Sequence, residues 1–183
     1  MSRAATHVAG PSLLPFAGAH DHEWVWKRPR LWRRRFELHA GDELLAVLES
    51  RSALRSDIAG ETAGARWRLR HEGLLRGLVR VVREGHGGDE ALYRPRWFGA
   101  GDVTTRKGQV LRWHRADFWG RRWEMVDTGA LPWVVFTRTP TFFSLDTRVD
   151  VADHARNDPE LQPVVLLGFF LIVLMARQVH ATH

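Results

Sequence analysis

The densest group of side chains able to bind a charged partner lies between Lys27 and Arg35. Six of these nine residues are cations, and Trp32 stands among them. Anionic lipid surfaces attract such clusters by about 1 kcal/mol per cation, and tryptophan suits the headgroup zone of a bilayer. The planar fork of arginine also suits phosphate. The cluster therefore predicts a lipid- or anion-binding site made of Lys27, Arg28, Arg30, Arg33, Arg34 and Arg35.

A second basic group alternates along one stretch of the chain and consists of Arg66, Arg68 and Arg70. If this ladder lies beside the first cluster, the two form one continuous basic face, so we include it in the candidate site. The alternative for both groups is a solvated strand face, because charge runs usually form such faces. In the first cluster, Glu23 and Glu37 would neutralise part of the charge.

Residue patterns typical of catalysis, metal binding and cofactor binding are missing. The chain has no Gly-x-Ser-x-Gly motif, phosphate loop or dinucleotide fingerprint, and it has no cysteine. The His-Asp-His run at 20–22 has no distant partner at metal-ligand spacing, and Asp146, Asp150 and Asp153 do not fit a calcium-binding loop. We therefore expect no catalytic residue, metal or cofactor, and a protein that is not an enzyme.

The elements that position the basic residues are predicted to be strands. From residue 22 to residue 152 the period is two; for example, Trp67 and Leu69 alternate with Arg66 and Arg68. This alternation indicates strands with one buried and one solvated face, and glycine-rich turns recur at hairpin spacing. We count ten to twelve strands, joined mostly as an antiparallel meander. The large side chains predicted to face inward are Trp24, Trp26, Phe36, Trp67, Trp113 and Trp123.

The length of 183 residues favours a single domain, which we place at residues 22–178. Residues 1–21 contain glycine and proline without a sustained period and are predicted to form a flexible lead-in, and residues 179–183 form a tail. With 27 Lys and Arg against 21 Asp and Glu, the formal net charge is +6. This surplus is compatible with an anionic partner.

An unbroken apolar run from Val164 to Ala176 predicts a C-terminal helix at about 160–177. A helix that is hydrophobic on every side must be surrounded by protein or lipid. Its apolar run reaches about 20 Å, whereas the hydrocarbon core of a bilayer is about 30 Å thick. This difference favours a closed barrel of about twelve strands around the helix over a tail anchor in a membrane. The predicted core residues of the helix are Val164, Leu166, Leu167, Phe169, Phe170, Leu171, Val173 and Leu174.

The order of these elements resembles the tubby C-terminal-like superfamily, which includes the LURP-one-related proteins and the phospholipid scramblases. The resemblance covers residues 22–178 and rests on WVWKRP at 24–29, WRRRFEL at 32–38 followed by a Gly-Asp turn, and the stretch 159–175. These segments are similar to small bacterial members of the superfamily. The resemblance implies a twelve-stranded barrel closed around the helix. Tubby-type members bind phosphoinositides through basic residues, but no motif of this chain matches that site; the absence of cysteine argues against scramblase activity.

These observations predict a non-enzymatic, cytoplasmic module that docks peripherally on anionic phospholipid or phosphoinositide surfaces, at the inner face of the membrane. Two alternatives stay open at this point. One is a cytosolic, stress-associated scaffold that binds another protein and has no lipid role. The other is a tail-anchored membrane protein. Nucleic acid is the disfavoured partner, because no RNA- or DNA-binding motif accompanies the arginines.

Overall fold

The computed structural model describes residues 12–19, 22–29, 35–50, 57–73, 77–139 and 145–181. Within these ranges the chain forms twelve β-strands followed by one α-helix, α1 (Leu161–Ala181). The strands are β1 (Trp24–Lys27), β2 (Arg35–Ala40), β3 (Glu43–Glu49), β4 (Ile58–Thr62), β5 (Ala65–Glu72), β6 (Leu78–Arg83), β7 (Ala91–Pro95), β8 (Gly101–Thr105), β9 (Val110–Arg115), β10 (Arg122–Val126), β11 (Pro132–Arg138) and β12 (Thr147–Val151).

The strands form one closed antiparallel barrel. Each strand pairs with its neighbours in the chain, and β1 pairs with β12 to complete the ring. Closure leaves no sheet edge open to pairing with another chain. Because consecutive strands run in opposite directions, all connections from an odd-numbered to an even-numbered strand lie at the same end of the barrel.

The barrel wall follows the alternation of the sequence. In β5, Trp67 and Leu69 are buried while Arg66, Arg68 and Arg70 are exposed. The six large residues predicted to face inward are all at most 6% exposed, which confirms that prediction. A tight turn connects β4 and β5, and Gly64 in this turn has φ of +75°, a conformation that glycine adopts without steric cost.

Helix α1 fills the barrel, as its uniformly apolar surface predicts. Seven of the eight predicted core residues are at most 4% exposed, and Leu174 is partly buried against the same core. Phe169 stacks on Trp26 with ring centroids 4.4 Å apart. A side chain at Gly168 would collide with the ring of Phe136, so this glycine allows the wall to approach the helix closely. The helix continues to Ala181, four residues beyond its predicted end at 177.

The start of α1 is fixed to one end of the barrel by polar contacts. The Glu160 carboxylate accepts a 2.7 Å hydrogen bond from the backbone N–H of Lys107, in the β8–β9 turn. Thr62, at the end of β4, donates a 2.9 Å hydrogen bond to the side chain of Gln162. The C-terminal half of the helix therefore points to the opposite end, where the odd-to-even connections lie.

Part of the predicted flexible lead-in packs on the barrel. The backbone N–H of Leu14 donates to the carbonyl of Leu44 at 2.8 Å, and Phe16 is 3% exposed. The indole of Trp24 donates a 2.8 Å hydrogen bond to the carbonyl of Ala19. Residues 12–19 are therefore held to the barrel, because the aromatic ring of Phe16 is buried despite the glycines and prolines around it.

Across the described ranges, no helix carries an apolar stretch long enough to cross a membrane.

Candidate functional site

The basic cluster predicted at 27–35 is described only at its margins. Arg30, Arg33 and Arg34 lie outside the described residues. Lys27 is exposed at the end of β1, and the guanidinium of Arg28 lies 5.8 Å from the ring centroid of Phe36. Arg35 donates a 2.8 Å hydrogen bond to Glu37, so its charge is balanced within β2.

The ladder of Arg66, Arg68 and Arg70 does not lie beside that cluster. Strands β3 and β4 separate β2 from β5. Arg68 forms an ion pair with Glu84 at 3.5 Å, and Arg70 forms one with Asp57 at 4.0 Å. These ion pairs favour the alternative interpretation of the ladder, in which it is part of a solvated outer face of the barrel whose charge is largely balanced.

A different surface carries the most exposed aromatic side chains among the described residues. Trp97 and Phe98 are 74% and 89% exposed in the β7–β8 connection, and Phe118 and Trp119 are 83% and 76% exposed in the β9–β10 connection. Both connections run from an odd- to an even-numbered strand, so the four side chains share the end toward which α1 points. We call this the aromatic end of the barrel. Large exposed apolar patches on a folded domain mark binding surfaces.

The β7–β8 connection holds its aromatic pair outward in a fixed shape. The backbone N–H of Arg96 donates to the carbonyl of Ala100 at 2.7 Å. The Tyr93 hydroxyl lies within hydrogen-bond distance of the carbonyls of Gly99 and Ala100, at 3.1 and 3.0 Å. Phe98 adopts φ of 56° and ψ of 33°, a left-handed conformation that is strained for a residue with a side chain. A strained, exposed phenylalanine indicates a role other than stability.

Replacing Phe98 by glycine is expected to leave the fold as stable as before, or more stable by about 0.5 kcal/mol, because the left-handed strain is relieved and little buried surface is lost. Urea unfolding of the two proteins measures this difference. The matched control is Phe118→Gly, which removes an equally exposed ring from a residue without positive φ. This control should be slightly destabilised. A loss above about 1 kcal/mol in Phe98→Gly would show that the ring is there for packing.

A cleft opens between the two aromatic connections at the mouth of the barrel. It has a volume of about 510 Å³, and Phe98 and Trp119 both line it. Arg115, at the end of β9, and Arg138, at the end of β11, also line it, and Met175 of α1 borders its inner side. The aromatic end therefore combines apolar tips with a cationic cleft, which neither predicted basic group provides.

A second cavity lies at the same end, between α1 and strands β5, β6, β7 and β9. Its volume is about 190 Å³, and His71, Tyr93 and Leu174 are among the side chains that line it. Burial lowers the pKa of the His71 imidazole. Burial, with a smaller contribution from the Asp102 carboxylate, raises the pKa of the Tyr93 hydroxyl to about 12. Both shifts favour the neutral forms of these two groups near pH 7.

No metal centre is formed within the ranges that the structure covers, since no three His, Asp or Glu side chains come together there. His20 and Asp21 of the His-Asp-His run lie outside those ranges. Asp150 forms an ion pair with Arg148 at 3.1 Å, and Asp153 forms one with Arg156 at 3.1 Å.

No protein-family profile, curated protein or solved structure matches the chain. The resemblance to the tubby C-terminal-like superfamily stays a prediction.

Proposed function

We propose that the protein docks peripherally on anionic membrane surfaces and that the aromatic end is the docking surface. The observation that carries this proposal is the convergence of Trp97, Phe98, Phe118 and Trp119 at one end of the barrel, next to cations. Tryptophan and phenylalanine partition into the interfacial zone of a bilayer, and cations at that depth meet anionic headgroups. The sequence predicts docking through the cluster from Lys27 to Arg35 together with Arg66, Arg68 and Arg70. Our proposal retains the docking function and replaces the ladder of Arg66, Arg68 and Arg70 with the aromatic end.

The energetics of the aromatic end support insertion. Fully burying an aromatic side chain of this size contributes about 1.5–3 kcal/mol, so four of them provide on the order of 6 kcal/mol before ordering is subtracted. The tips project from two separate connections and are 74–89% exposed. A soft bilayer interface can surround such projecting tips individually, whereas the hot spots of protein–protein interfaces are packed at the centre of a continuous patch.

The described part of the basic cluster extends the same surface. Lys27 and Arg28 follow each other where the β1–β2 connection begins, and this connection also runs from an odd- to an even-numbered strand. Together with a net charge of +6, these cations favour approach to a negative surface. Attraction of this kind decreases as salt is added.

Vesicle co-sedimentation tests the proposal. The protein is expected to bind phosphatidylcholine vesicles that contain about 30% phosphatidylglycerol. It should bind vesicles of pure phosphatidylcholine much more weakly, because the cations contribute only on an anionic surface. The variant Trp97→Ser/Trp119→Ser should lose about hundredfold in partitioning, since each lost indole removes about 1.5 kcal/mol or more of apolar transfer.

The matched control is Leu131→Ser, which removes a side chain that is 58% exposed in the β10–β11 connection at the other end of the barrel. This control should bind as the parent protein does. Equal binding of the parent to neutral and anionic vesicles, or unchanged binding of the double variant, would contradict the proposal. A thermal melt of each variant confirms that it is folded.

A further inference from the structure

The inner rim of the aromatic end carries arginines where the barrel wall is otherwise apolar. In β9, Leu111 and Trp113 face inward, and Arg115 continues the same alternation at the mouth. In β11, Val134 and Phe136 face inward, and Arg138 occupies the next position of the same alternation. The two arginines therefore end two inward-facing rows, and both reach the cleft that Phe98 borders.

Arg115 and Arg138 bring positive charge to this rim. Neither Arg115 nor Arg138 forms an ion pair with another residue that the structure describes. Asp117, in the same hairpin, accepts hydrogen bonds from the backbone N–H groups of Arg121 and Arg122 at 2.9 and 3.0 Å. Glu124 pairs with Arg122 at 2.9 Å. Asp117 and Glu124 therefore have partners other than the two rim arginines.

Two further features of Arg138 are energetically unfavourable. The backbone N–H of Arg138 donates to the carbonyl of Arg121, so two cationic residues lie directly opposite each other across strands, which is unfavourable. The Nε of Arg138 is buried and has no hydrogen-bond partner. Buried donors are normally paired, and an unpaired one calls for an explanation. An anion in the cleft would relieve both features.

Support of the helix terminus does not explain these arginines. Cations stabilise the last turn of a helix, and this effect falls off beyond that turn. The cleft borders α1 at Ile172, Met175 and Ala176, whereas the helix ends at Ala181. Arg115 and Arg138 therefore lie beside the body of the helix rather than at its terminal carbonyls.

We propose that this cleft binds the phosphate group of an anionic phospholipid, with Arg115 and Arg138 as its ligands. The inference rests on the proposed function, because the aromatic tips bring the cleft to the depth of the headgroups. Guanidinium groups bind phosphate oxygens in bidentate, charge-assisted fashion. Phe98 and Trp119 give the cleft apolar sides, along which the glycerol and upper acyl chain of a lipid would lie. A free phosphate ion would leave these sides without a partner.

The experiment compares two vesicle types whose anionic charge comes from phosphatidic acid or from oleate, in a phosphatidylcholine background and at equal zeta potential. The parent protein is expected to prefer phosphatidic acid about tenfold, the effect of one or two charge-assisted hydrogen bonds that a carboxylate lipid forms less well. Arg115→Gln/Arg138→Gln should lose this preference and retain the weaker binding that the aromatic tips provide.

Two further variants separate geometry from charge. Arg66→Gln/Arg112→Gln removes equal charge from exposed positions on the outer wall and should keep the preference. Arg115→Lys/Arg138→Lys keeps the charge but removes the planar fork, so its preference should fall. Retention of the full preference in Arg115→Gln/Arg138→Gln would overturn the assignment, as would its loss in the outer-wall variant.

A parent protein that binds both vesicle types equally would overturn the phosphate site while leaving membrane docking intact. Failure to bind either type would overturn the proposed function and this inference together. Inorganic phosphate alone is the third probe, followed through the Arg138 Nε–H resonance by NMR. Submillimolar binding of inorganic phosphate without a vesicle preference would assign the cleft to a free anion and overturn the lipid source.

Discussion

A chain that ends at Pro159, and so lacks α1, is expected not to form the barrel. Residues 164–170 of the helix are fully buried and occupy the interior that the strands enclose. Without them, the inward rings of Trp26 and Phe136 would border a void that the wall cannot collapse to fill. At about 1.5–3 kcal/mol for each large apolar side chain, the lost burial exceeds the 5–15 kcal/mol that stabilises a typical domain.

Near-ultraviolet circular dichroism and the dispersion of amide resonances measure the outcome, and the truncated chain should show neither a tertiary signal nor a cooperative melt. The control is a chain that ends at Arg177, which retains every buried residue described in the helix. This control should melt close to the intact protein. A truncated chain with the melting curve of the full one would contradict the view that α1 is the core.

The strands of the barrel wall could be predicted from the sequence because the alternation of apolar and polar residues that produces them lies within each short segment. Alternation such as that of Trp67 and Leu69 with Arg66 and Arg68 assigns one face of each strand to the interior. The run from Val164 to Ala176 has no polar face, so it must be surrounded by apolar material. These two facts together predict strands closed around a helix, and the structure confirms this arrangement.

The aromatic end could not be predicted in the same way, because it depends on where strands stop. Trp123 is buried while Trp119 is exposed, and the difference is that Trp119 falls in a connection, four residues earlier in the chain. A usable signal was present: the pairs Trp97-Phe98 and Phe118-Trp119 each directly precede a glycine. Two adjacent rings cannot both face inward on a strand, so a pair beside a turn glycine indicates exposure.

Local charge density in the sequence points to arginines other than the two that we propose for the cleft. The run from Lys27 to Arg35 is the most basic segment, yet Arg35 is neutralised by Glu37 within its own strand. Arg115 and Arg138 are isolated in the sequence and meet only because β9 and β11 flank β10 in the closed barrel. Each of these arginines occupies a position that the alternation of its strand assigns to the barrel interior, where the other residues are apolar. This feature can be recognised only when the ends of the strands are known.

Replacing Phe169 by alanine is expected to destabilise the fold by about 3–5 kcal/mol, the usual range for removing a fully buried ring. The ring stacks on Trp26 at 4.4 Å and meets Phe36 edge-on at 5.2 Å, so both partners lose a packed neighbour. Close-packed protein interiors relax only partly around a cavity. Urea unfolding gives the loss as a lower midpoint at constant m-value.

The matched control is Phe118→Ala, the same chemical change at a ring that is 83% exposed. This variant should lose less than about 0.5 kcal/mol, because little apolar surface returns to water. Vesicle binding should show the opposite order of effects. Phe118→Ala should weaken membrane partitioning, whereas the folded fraction of Phe169→Ala should bind as the parent protein does. The protein has an aromatic core around α1 and an aromatic end that faces outward, so stability and membrane binding should depend on different rings. Equal losses of stability in the two variants would contradict this division.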